Sequence, residues 1–181
     1  MTKGVKILVV IMITVAIALT SFFVMKKAYD ESQKEIEEEK PVPKEKIDYI
    51  AVLEIPKIKL KRGIVDKNSS YNNVNRNIYT LKETTMPDEE DNSHIMLASH
   101  SGNSYISYFK NLNKLNLNDE VYFFYKNNKY VYKVIKKYEV EKTGTVKLSK
   151  KNSSDITLIT CVSGTNNQIV LVANLESIEN Y

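Results

Sequence analysis

The feature that most constrains this chain is an uninterrupted apolar run from Ile7 to Met25, closed by Lys26 and Lys27. As a helix rising about 1.5 Å per residue it is about 28 Å long, enough to cross a hydrocarbon core of about 30 Å. A cleaved secretion signal has a shorter apolar stretch ending in small residues, whereas Ser21, Phe22, Phe23, Val24 and Met25 run directly into charge. Residues 1–27 are therefore expected to form an uncleaved, single-pass membrane anchor. Lysines flank the run on both sides, so the short N-terminal tail, more than charge, favours a tail inside and the remaining chain outside the cytoplasm. Residues 28–46 are charged and contain Pro41 and Pro43, a composition unable to build a core. They read as a stalk with room for a helix before Pro41. One domain, 47–181, follows, long enough to bury a core of its own.

From Ile47 onward the chain is a succession of short β-forming runs broken by Asn, Ser, Gly and Asp clusters, the pattern of an all-β barrel or sandwich. Strands are expected near 49–55, 58–65, 77–81, 93–99, 119–125, 129–141, 155–161 and 168–175. Between Tyr125 and Tyr130 the asparagines mark a hairpin, because Asn tolerates positive φ and β-formers flank it on both sides. Apolar residues at 105, 106, 108, 109, 112 and 115 follow a period near 3.6 and predict one short helix over 104–115, with Ser104 as N-cap. No internal repeat and no Gly-rich phosphate loop is present.

The formal charge is only +4, and the lysines are interleaved with acids, which argues against a nucleic-acid partner. Cys161 is the single cysteine, so it closes no intramolecular disulfide. It ends the apolar run Ile156–Thr160 and precedes the polar turn Val162–Asn167. His100 likewise ends the run from His94 to Ser99 and precedes Ser101-Gly102-Asn103. With only two histidines and one thiol, a structural zinc site is poorly supplied. Two readings remain for Cys161: a small hydrophobe packed in a core, or a nucleophile working with His100. The second has a chemical rationale, because a free thiol of pKa about 8.5 is only slightly ionised at neutral pH. A neighbouring imidazole raises the reactive fraction and protonates a departing amine.

Four segments, in order, resemble the sortase family. Leu53-Glu54-Ile55-Pro56-Lys57-Ile58-Lys59-Leu60 resembles its IPKI opening, and Ile95-Met96-Leu97-Ala98-Ser99-His100 its LAGH strand. Tyr108 to Leu112 and Leu115 to Val121 resemble the F..L..L..GD segment, and Thr157-Leu158-Ile159-Thr160-Cys161 the TLxTC motif. The resemblance implies an eight-stranded β-barrel with one or two short helices, and a cysteine transpeptidase that cuts an LPxTG-like sorting signal between Thr and Gly. It would pass the acyl group to an amine of a peptidoglycan precursor or a pilin, at the outer face of a Gram-positive cell membrane. By the same resemblance Cys161 is the nucleophile, His100 its partner, and Ala98, Ser99 and Thr160 are candidate substrate-binding positions.

One departure matters. Sortases carry an arginine on the strand after the cysteine, and here that place falls to Gln168. An amide donates hydrogen bonds but lacks the charge and fork of guanidinium. A catalytically weak or inactive homologue acting as a binding module is the alternative reading, and Arg76 or Lys147 are other sources of the missing charge. The connection between 141 and 155 is too short for a class B inserted helix, and no aromatic lid precedes the barrel, which leaves a housekeeping-like or class D-like subtype. Asp88, Glu89, Glu90 and Asp91 lie in the loop before the His100 strand, where some relatives bind calcium with a later acid, here Glu141. Hard oxygen ligands on a flexible loop suit calcium, and a solvated acidic loop is the alternative. No other cofactor is expected.

Overall fold

The computed structural model describes residues 3–38, 46–143 and 153–181, and the chain divides into two units, 1–46 and 47–181. In the first unit a single helix, α1 (Lys3–Glu38), runs without a break through residue 27, where composition marks the end of the anchor. Its segment Met12–Glu31 is long and apolar enough to cross a membrane, and none of that segment is buried by protein. The hydroxyls of Thr20 and Ser21 bond back to the Ile17 carbonyl at 2.9 Å, so the span leaves neither polar group bare. Residues 39–45 of the expected stalk lie outside the described residues.

The second unit is mainly β. Its eight strands are β1 (Tyr49–Ile55), β2 (Leu60–Val65), β3 (Tyr79–Thr80), β4 (His94–Ala98), β5 (Glu120–Tyr125), β6 (Asn128–Glu141), β7 (Asp155–Cys161) and β8 (Asn167–Asn180). They form one sheet in the order β2-β1-β5-β6-β8-β7-β4-β3. The two edge strands approach each other, so the sheet curls into a nearly closed barrel. Every pairing is antiparallel except β4 with β7. Alternate residues fill the interior: Leu53 and Ile55 from β1, Ile95 and Leu97 from β4, Ile156 and Leu158 from β7, Leu171 and Ala173 from β8. The intervening residues of β4, β7 and β8 face outward, and this outer face carries the chemistry.

Local chemistry explains where the strands differ from the sequence expectation. The strand expected at 58–65 begins at Leu60, because Pro56 lacks an N–H and starts a 3-10 turn over Pro56–Ile58. Lys59 then takes φ 54° and closes the turn through its N–H to the Pro56 carbonyl at 3.0 Å. β8 runs five residues past the expected 175, pairing with β6 from Asn167↔Glu141 to Asn180↔Asn128. In the 125–130 hairpin it is Lys126, at φ 53°, and not an asparagine, that takes the positive φ.

The helix expected over 104–115 does not form. The segment is a chain of turns ending in a 3-10 turn at Leu112–Lys114. Its hydrogen bonds span three residues, as in Ser107 N–H to Ser104 O at 3.0 Å and Leu112 N–H to Phe109 O at 3.0 Å. The Phe109 N–H instead reaches the His100 carbonyl at 3.1 Å, which ties the segment to the end of β4. Ser and Asn compete for backbone hydrogen bonds here, and Tyr105 is 90% exposed, so the apolar period has no continuous face to bury. Phe109, Leu112 and Leu115 still enter the core and plug the barrel.

Candidate active site

The parallel pairing of β4 and β7 runs His94↔Asp155 to Ala98↔Ile159 at a constant offset. Two bonds carry it one residue further: Ser99 N–H donates to Ile159 O at 3.2 Å, and Thr160 Oγ1 donates to Ser99 O at 2.8 Å. That offset is 61 positions, and it is also the separation between His100 and Cys161. The two residues therefore lie at the ends of neighbouring strands, His100 two positions past the last ladder pair, where paired strands run about 4.8 Å apart. In the antiparallel pairing of β7 with β8, Cys161 lies directly opposite Gln168, so both project from the same face. Cys161, Gln168 and, on β6, Val140 thus form one row across three adjacent strands, with His100 just past the end of β4 on the Cys161 side.

Exposure across these residues is graded. His100 and Cys161 are half-buried, while Gln168 is 8% exposed. Among the described residues the Gln168 amide makes no side-chain hydrogen bond. The turn joining β7 to β8 is held by Val162 N–H to Asn167 O at 2.8 Å and by Gly164 at φ 77°, a conformation that suits glycine. The Thr165 hydroxyl accepts from Asn167 N–H at 3.1 Å, and Asn167 Nδ2 donates to Glu139 at 2.7 Å. Cys161 and Gln168 are therefore fixed from both sides of the turn.

A residue that sequence reasoning passed over completes the surroundings. The His100 Nε2 lies 3.0 Å from Asn75 Oδ1. Asn75 belongs to an asparagine-rich loop whose side chains replace missing backbone partners. Asn72 brackets Thr80, accepting from its N–H at 2.7 Å and donating to its carbonyl at 2.9 Å. Asn73 Oδ1 accepts from Asn75 N–H at 2.8 Å, and buried Asn77 donates to Gly63 O at 3.1 Å. The legible signal was the density of Asn at 72, 73, 75 and 77.

A family model described as the Sortase domain matches residues 53–176, more than half of the chain. The chain belongs to the sortase family. No curated protein matches it, but solved structures do. Sortase A of Listeria monocytogenes is 20% identical, with a TM-score of 0.62 over 74% of this chain and 90% of that one. Sortase E1 from Streptomyces coelicolor is 22% identical, with a TM-score of 0.63 over 74% and 91%. Sortase C of Streptococcus pneumoniae is 20% identical, with a TM-score of 0.63 over 71% and 69%. At this identity the likeness is one of fold.

Within this sortase fold the other expected site residues take different places. Ala98 is half-buried on the outer face beside Ile159. Ser99 and Thr160 point inward and are 4% exposed each; the Thr160 hydroxyl donates to Ser99 O and ties β7 to the end of β4, while the Ser99 hydroxyl donates to Ile106 O at 3.4 Å. Arg76 stacks on Tyr71 with its guanidinium 5.5 Å from the ring centre. The other arginine, Arg62, pairs with Leu53 on the inner face, lies 4.7 Å from the Tyr108 ring and donates to Asn77 at 2.9 Å. Lys147 and the loop around it lie outside the described residues.

The acids of the 88–91 loop and Glu141 have separate surroundings. Asp88 pairs with Lys126, whose ammonium, with Tyr125, holds its carboxyl below the usual range. Glu89 accepts from the Met86 N–H at 2.8 Å. Glu141 ends β6 opposite Asn167, and among the described residues no three Asp, Glu, His or Cys side chains gather around one point.

Proposed function

We propose that this chain is a membrane-anchored cysteine transpeptidase that cleaves an LPxTG-like sorting signal and passes the acyl group to an amine. The observation that carries the reading is the Cys161↔Gln168 pair at the end of β7, next to the end of β4, the strand that leads into His100. The Cys161 thiolate attacks the Thr carbonyl carbon, and the carbonyl π electrons move to oxygen. The oxyanion collapses, the C–N bond to Gly breaks, and His100 gives its proton to the leaving amine. The resulting thioester is attacked by an amine of a peptidoglycan precursor or pilin. His100 takes the amine proton, the C–S bond breaks, and the thiolate returns. Gln168 serves as the oxyanion donor in place of a guanidinium, a role in keeping with a largely buried amide that has no partner among the described residues. The apolar span of α1 is in keeping with anchorage at the outer face of a Gram-positive membrane, beside substrates held in the same bilayer.

The full chain in detergent micelles, incubated with a library of fluorogenic sorting-signal peptides and an amine acceptor, tests this. The expected outcome is an amine-capped product and a thioester adduct on Cys161, both lost in Cys161→Ala. The lack of an arginine in the row favours a second reading, a binding module that retains the fold but turns over slowly. Peptide binding without cleavage, by a folded chain whose thiol alkylates, would replace the first reading with the second.

A further inference from the structure

We infer that Asn75 is a positioning residue that fixes the tautomer of His100, so that Nδ1 is the nitrogen that works on Cys161 and the leaving amine. The inference rests on the transpeptidase reading for its functional half and on geometry alone for its structural half. An amide oxygen only accepts hydrogen bonds, so the 3.0 Å contact of Asn75 Oδ1 with Nε2 requires the ring hydrogen on Nε2. In the neutral ring Nδ1 is then unprotonated and free to take a proton from the thiol. In the imidazolium Nδ1–H is the proton available to the amine, while Nε2–H stays on Asn75.

Asn75 has reason to hold its place. Its own N–H is fixed by Asn73 Oδ1 at 2.8 Å, and the N–H groups of Arg76 and Asn77 both turn back to the Asn73 carbonyl, at 2.9 and 2.8 Å. Buried Asn77 clamps the next residues to β2 through Arg62 and Gly63. The loop thus delivers one acceptor to Nε2 of the imidazole and leaves Nδ1 as the nitrogen for the thiol. The arrangement has the logic of the Cys-His-Asn proteases on an unrelated fold, where a third group orients the base. In this chain it also compensates in part for the row's lack of a charged donor: orientation is supplied where charge is missing.

The chain contains only two histidines, which makes the test direct. His94 Nδ1 lies 3.2 Å from an Asp155 carboxylate oxygen, so its hydrogen belongs on Nδ1, the opposite tautomer. Long-range proton–nitrogen NMR correlations on the full chain, labelled at histidine nitrogen and held in micelles, separate the two. The expected spectrum has His100 as Nε2–H and His94 as Nδ1–H. In Asn75→Ala, His100 alone relaxes to an exchanging mixture, and kcat falls about tenfold, roughly 1.4 kcal/mol, with KM little changed. Asn75→Asp restores the acceptor, so it keeps the Nε2–H tautomer that Asn75→Ala loses. His100 found as Nδ1–H, or unchanged in Asn75→Ala, overturns the inference. The spectra read this even if no peptide is cleaved, in which case the transpeptidase reading fails and the orientation by Asn75 stands or falls separately. Normal spectra with a kcat that Asn75→Ala leaves intact would overturn the functional half.

Discussion

Replacing Gln168 by leucine separates catalysis from stability in a way few substitutions at this site do. Leucine preserves most of the side-chain volume at a position only 8% exposed, and it removes an amide with no hydrogen-bond partner among the described residues. No bond to a described residue is lost, and a buried polar group without a partner costs about 1–3 kcal/mol. Because the amide is not wholly sealed, the expected change is a gain of about 0–1 kcal/mol, read as an unchanged or slightly raised Tm. Catalysis should respond in the opposite direction. One neutral donor at a developing oxyanion contributes about 2.7 kcal/mol, so acylation of Cys161 should slow about a hundredfold. The assay is single-turnover formation of the thioester, followed by intact mass, beside a thermal melt of the same sample. Gln168→Arg should accelerate the same step. Acylation of Gln168→Leu within threefold of the native rate would refute the role. A fall in Tm equivalent to more than about 1 kcal/mol would show that the amide has a structural partner, and the argument from its vacancy would fail.

Thr160→Val should destabilise the domain by about 1–2 kcal/mol, seen as a lower midpoint in urea, because it leaves the Ser99 carbonyl without its 2.8 Å partner in a buried setting. Acidification should weaken the fold through Asp119. Burial pushes its carboxyl up, but the Asn116 N–H at 2.6 Å and Lys57 at 2.6 Å outweigh that and hold it below the usual range. Its folded pKa lies below the unfolded value of about 3.9, so its contribution is present above that value and is lost as pH falls through the folded one. Thermal melts between pH 7 and 3 should therefore show a drop below about pH 4 that is shallower in Asp119→Asn.

Much of this fold was legible because its strands are local apolar runs with clear boundaries. The runs ending at His100 and Cys161 could be read one by one, and so could the turn after Cys161. What could not be read was which strands are neighbours. The 61-residue separation of the thiol and imidazole looks arbitrary along the chain and becomes a register only once β4 and β7 pair in parallel. The error at 104–115 has a related cause. Apolar spacing there reports which side chains enter the core, while Ser and Asn decide the backbone, and the Phe109 bond to His100 is invisible from a distance. Asn75 was missed for the same reason, since its role depends on a contact made across 25 residues.

The β4–β7 pairing also bears on when the protein becomes reactive. Hairpins such as β5–β6 and β7–β8 join strands adjacent in the chain, whereas β4 must find β7 across a long intervening segment before any ladder bond rewards the closure. Until that happens the thiol belongs to one hairpin and the imidazole to another part of a still-open sheet. A folding chain would hold its thiol apart from the imidazole until its last strands had paired. This long-range closure, like that of β1 with β5, thus acts as a timer, and peptide-cleaving activity should return during refolding with the slowest phase, well after most of the β signal has been recovered.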